Sequence, residues 1–84
     1  MHEGAVCAEI MDIAARTAAE HDLTKIWEIV ITVGAYSCVN EEQLNFYFDS
    51  AKSGTCMTDA VIRVERDESI KGVSQLYLKS IKGD

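Results

Sequence analysis

The sequence begins Met-His-Glu, which sets an imidazole and a carboxylate directly beside the chain's α-amine. That amine, the amide nitrogen of His2 and the His2 Nδ1 can close adjoining five- and six-membered chelate rings on one ion. Glu3 offers a fourth donor, through its amide or its carboxylate. A deprotonated amide demands a strongly binding ion, and a square of nitrogen-rich donors favours Ni(II) or Cu(II). Met1, His2 and Glu3 are therefore the candidate metal ligands. Glu3 also suits a plain structural role, since a carboxylate at the positive end of a helix is favoured by roughly 0.3–1 kcal/mol.

Other reactive side chains carry less. His21 falls near the end of the first predicted helix, where an imidazole suits the helix dipole. Cys7, Cys38 and Cys56 are odd in number and widely spaced, so they signal neither a disulfide framework nor a thiolate zinc site and are expected to pack as small hydrophobes. Cys7 lies close enough to His2 in sequence to suggest a nucleophile and base, but no third residue is in place to orient them. The chain has no glycine-rich phosphate loop, nucleophile elbow or paired-histidine motif. The expectation is that it is not an enzyme.

The elements that must position the amino terminus are readable from periodicity. From Gly4 to His21, Val6, Ile10, Ile13 or Ala14, and Ala18 recur three and four apart among polar residues, predicting an alanine-rich amphipathic helix. Lys25–Gly34 is a β-branched run, with Trp27, Ile29, Ile31 and Val33 expected on one face and Ile26, Glu28, Val30 and Thr32 on the other. Asn40 and Gln43 form a capping-box pattern ahead of a second helix, whose apolar stripe reads Leu44, Tyr47, Phe48 and Ala51 and which ends by Ser53. Two alternating segments follow. Ala60, Ile62 and Val64 oppose Val61, Arg63 and Glu65, and Leu76 and Leu78 oppose Tyr77, Lys79 and Ile81. The polar stretch 67–73 between them suits a hairpin loop. The order predicts an α+β fold, with two helices on one face of a small three- to four-stranded mixed sheet; residues 1–3 would supply the optional edge strand.

Composition narrows the function. The 84 residues suit one domain, and 14 acidic against 8 basic residues give a net charge of −6, which argues against a nucleic-acid partner. No apolar run is long enough to cross a bilayer, and the start lacks the basic and apolar regions of a signal peptide, so the expected location is the cytoplasm.

The "MHE" start, "EHDLTKIWEIVITVGAYSCVNEEQLNFYFD" and the final "LYLKSI" together resemble the HypA/HybF family of hydrogenase nickel-incorporation proteins, in order and over nearly the whole chain. The resemblance implies Ni(II) at Met1 and His2 with Glu3 close by, a metallochaperone role in maturing nickel enzymes such as nickel-iron hydrogenase, and as partners the enzyme's large subunit and a maturation GTPase. It also implies a zinc domain with two CxxC pairs, inserted between the strands matched by "VIRVER" and "LYLKSI". Here only a short loop at 67–73 joins them, and no cysteine lies within it, so residues 1–84 are read as a single nickel-binding domain with no zinc expected. Many relatives carry an acidic residue where this chain has Asn40, which keeps the cap and removes a charge. The alternative reading is a metal-free interaction module that uses a sheet edge for homo-oligomerisation or for association with a maturation enzyme.

Overall fold

The computed structural model describes residues 3–84, Glu3 by its backbone alone, in the order α1 (Glu3–Glu20), β1 (Ile26–Gly34), α2 (Glu41–Ala51), β2 (Val61–Asp67) and β3 (Leu76–Gly83). It is the expected α+β arrangement, two helices on one face of a mixed sheet, here of three strands in the order β2-β1-β3. The expected strand at residues 1–3 falls on Met1 and His2, outside the described residues, and on Glu3, which opens α1.

Helix α1 buries Val6, Cys7, Ile10, Ala14 and Ala18, a stripe spaced by one, three and four residues that faces the sheet. Ala14, not Ile13, takes the alternative position, because a small side chain lets the helix approach closely. The helix stops where Asp22 turns left-handed at φ 57°, with the Leu23 amide donating to the Ala18 carbonyl at 2.8 Å and the Asp22 amide to that of Ala19 at 3.3 Å. This double closure satisfies the last carbonyls and places His21 at the C-cap, as its position suggested.

Strand β1 is central. It pairs parallel with β2, Glu28 opposite Val61 through Gly34 opposite Asp67, and antiparallel with β3, Ile26 opposite Gly83 through Val33 opposite Leu76. Two bulges on the β3 side change which residues face inward. Trp27 is an extra residue between Ile26 and Glu28, so Ile26 is fully buried and Trp27 lies exposed beneath the Lys25 ammonium, 4.5 Å from the ring centroid. The expected assignment of these two residues is thus reversed. Lys79 is the second extra residue, between Leu78 and Ser80, and it brings Ile81 to the core side with Leu76 and Leu78 rather than opposite them. One added residue inverts a two-residue alternation beyond it.

The expected hairpin is also corrected. β2 and β3 flank β1 on opposite sides, so residues 68–75 are a crossing connection over the end of the central strand and not a turn between partners. Gly34 makes room for it: a Cβ there would stand 2.9 Å from the Ile70 carbonyl oxygen and 3.2 Å from that of Gly72.

The sheet's two outer edges differ. Along β2, the Asn45 side chain of α2 accepts from the Ile62 amide at 2.9 Å and donates to the Ile62 carbonyl at 2.8 Å, as a neighbouring strand would. Glu41 accepts from the Val64 amide at 2.7 Å, and the Lys52 ammonium donates to the carbonyl of Ala60, the residue before the strand, at 2.9 Å. Among the described residues, no such group pairs with the outer edge of β3 between Leu76 and Gly83.

Candidate metal centre

Of the three candidate ligands, Met1 and His2 and the side chain of Glu3 lie outside the described residues. The geometry that bears on them is that of the first turn of α1 and its neighbours. Gly4 faces the Tyr47 ring of α2, where an added Cβ would sit 3.9 Å from both Cδ1 and Cε1. Tyr47 was expected in the apolar stripe of α2 together with Ala51. Both are exposed instead, and Leu44 and Phe48 alone bury the helix. With Asn40, Glu42, Gln43 and the exposed Phe46, Tyr47 shapes a shallow depression beside the start of α1. Phe46 stands edge-on to Tyr47, their centroids 5.7 Å apart.

The start of α2 is held from three directions. Asn40 caps it as expected, its Oδ1 accepting from the Gln43 amide at 3.0 Å. Glu41 reaches β2, as described. The connector before the cap is gripped by Arg66, whose guanidinium donates to the carbonyls of Ser37 at 2.9 Å and Val39 at 2.7 Å. Buried Ser37 adds an Oγ that accepts from the Val39 amide at 3.2 Å. A cation bound by carbonyls alone fixes a loop without introducing a countercharge. Only the alternation of β2 hinted at it, since continuing Ile62 and Val64 inward puts a charged Arg66 on the covered side.

The charges in α2's first turn are Glu41 and Glu42, with Asn40 neutral at the cap; Lys52, the C-cap just past the helix, is paired with Asp49 at 2.7 Å. The Cys7 thiol is buried in the core, and desolvation raises its pKa, so it is the reverse of an activated nucleophile. Cys38 is exposed in the connector and Cys56 half-buried beyond α2, three cysteines in three separate places. Among the described residues no group of three or more His, Cys, Asp or Glu side chains converges as a metal site. No helix among them is long and apolar enough to cross a membrane.

Comparison with known proteins adds the following. A family model described as hydrogenase/urease nickel incorporation, metallochaperone, HypA matches residues 1–72. The hydrogenase maturation factor HypA of Aeromonas hydrophila is 31% identical over 65 residues, covering 77% of this chain and 58% of that protein. HybF of Escherichia coli K12 is 34% identical over 55 residues, covering 66% and 49%. The match thus spans about half of these relatives' length. The solution structure of the nickel metallochaperone HypA from Helicobacter pylori superposes with a TM-score of 0.80 at 15% identity, covering 99% of this chain and 97% of that one. At that identity it bears on the fold alone.

Proposed function

This chain belongs to the HypA family of hydrogenase/urease nickel-incorporation metallochaperones, and on that premise we propose that it is a nickel-binding accessory domain that takes Ni(II) at its amino terminus and passes it to a protein partner. The observation that carries the reading is the family match starting at residue 1, over a Met-His-Glu start whose donors can chelate. The fold supports it. An 18-residue helix begins at Glu3 and packs its first turn on Tyr47, so two of the candidate donors directly precede an anchored element and the third opens it.

Nickel is the cargo. The Met1 amine and the His2 amide and imidazole would each bind through nitrogen free of its proton, so uptake releases protons and weakens as pH falls, first through the ordinary amine pKa of about 7.7–8 and further below the imidazole's of about 6.5. Equal uptake at pH 8 and pH 5 would rule this coordination out. Glu3 contributes through its amide or carboxylate. Residues 1–84 act as one domain, and the connection over Gly34 stands where the family resemblance implies a zinc domain. Zinc has no part in the proposal, since Cys7, Cys38 and Cys56 lie apart. The large subunit of a nickel enzyme and a maturation GTPase are the proposed partners, in the cytoplasm. Carriage does not require the chain to be an enzyme.

The test is a calorimetric Ni(II) titration of protein with its native Met1, of protein with one glycine added before Met1, and of His2→Ala. One tight site in the native protein alone is the expected result. Equal weak binding by all three would favour the second reading, a metal-free interaction module. The observation behind that reading is the outer edge of β3, which has no backbone partner among the described residues.

A further inference from the structure

The two edges of the sheet are unequally open among the described residues. Asn45, Glu41 and Lys52 already occupy backbone groups along β2, whereas β3 has an outer edge with no such partner among the described residues. A groove of about 670 Å³ runs beside that edge, between residues 78–83 and Thr17, His21 and Leu23 at the end of α1. Its floor includes half-buried Leu78, Ile81 and Leu23, all of which touch the core. An unpaired strand edge beside an apolar groove has the backbone and side-chain features that an extended peptide needs to add as another strand.

We propose that β3 accepts an extended acidic segment of a protein partner as a fourth strand. The charge of the strand selects the occupant. Between Leu76 and Gly83 the only charged residues are Lys79 and Lys82, both basic, in a chain of net charge −6. Lys79 reaches back across the sheet to Glu65 of β2 at 2.6 Å, an exposed pair that an incoming carboxylate can compete for; Lys82 is the freer of the two, its side chain 74% exposed and 3.6 Å from Glu28, a carboxylate already engaged by Arg63 at 3.0 Å. A segment alternating apolar and acidic residues would set the first over the groove and the second beside the lysines. A second copy of this chain would bring lysines to lysines, and like charges across paired strands oppose pairing. The bulge at Lys79 interrupts the edge further, and lysines and bulges on an edge both disfavour self-association.

This inference stands apart from nickel binding, and the experiment separates them. Fluorescent decapeptides of alternating valine and glutamate, or valine and lysine, are titrated into the full chain by anisotropy, while backbone amide shifts locate the contact. The acidic peptide is expected to bind, with shifts confined to β3 and the end of α1. The pair Lys79→Glu and Lys82→Glu should weaken it by about tenfold and admit the lysine peptide. Should that pair unfold the protein, Lys79→Gln with Lys82→Gln reads the same dependence on charge. No binding of the acidic peptide, equal binding of both peptides, or shifts elsewhere would overturn the proposal, as would a dimer paired through β3 in sedimentation. His2→Ala should leave peptide binding unchanged, and a loss of nickel uptake alone does not touch this result.

Discussion

The two edges of the sheet have been finished in different ways. Helix α2 is the crossover between β1 and β2, so its side chains reach the strand that follows it, and Asn45 presents an acceptor and a donor to Ile62 at strand-like distances. Helix α1 runs beside β3 but offers its edge no corresponding group among the described residues. A small domain can therefore close an edge with side chains where its connectivity supplies them. Where it does not, the backbone groups stay available and charge governs what approaches them.

The largest expected effect is at the closed edge. Asn45→Ala removes both bonds to Ile62, and leaving partly buried backbone groups unpaired costs about 2–3 kcal/mol. For a domain of this size that lowers Tm by about 8–24 °C, measurable by thermal circular dichroism. A change under 2 °C would mean that the edge is not held by Asn45. Glu41→Ala should cost less, about 1 kcal/mol, because the Val64 amide it binds can turn to water; urea denaturation reads this size of effect.

Between the edges lies Glu28 of β1, whose carboxylate meets Arg63 of β2 and Lys82 of β3. The Arg63 hydrogen bond, helped by the charge of Lys82, holds its pKa below the ordinary glutamate value. A pKa depressed by folding contributes stability that is complete above the unfolded value, about 4.3, and is lost as pH falls through the folded one. Glu28→Gln should therefore flatten the acid limb of stability below that pH and leave its shape near pH 7 unchanged. Equally steep acid limbs in the two proteins would place the coupling elsewhere. The smallest effect is expected at the open edge itself. Lys79→Thr with Lys82→Thr should alter stability by no more than about 0.5 kcal/mol, because exposed lysines there guard the edge without holding the fold. A much larger loss would make them structural.

The order of elements, the Asn40 cap and the buried stripe of α1 could be read from the sequence because each depends on neighbours a few residues away. The phase of the strands could not. Trp27 and Lys79 are bulge residues only because of what lies opposite them, and that information sits more than fifty residues off in the chain for Ile26 and Gly83. The same holds for the crossing loop, since local spacing cannot say whether two strands are neighbours or separated by a third. The candidate site divides likewise. The donor atoms that make Met1, His2 and Glu3 candidates are readable from the first letters, whereas Tyr47 beside Gly4 and the Arg66 grip on Ser37 and Val39 depend on the packing of distant segments.

The placement of β1 also sets the sequence of events in biosynthesis. The central strand emerges first among the strands, yet its parallel partner begins at Val61 and its antiparallel partner ends at Gly83, opposite Ile26. Contacts of such long range slow folding, and during translation at roughly 5–20 residues per second β1 waits several seconds with both edges bare before either can be covered. For that interval the strand richest in isoleucine and valine is the part of the nascent chain with most need of shelter by α1, the one large element already complete.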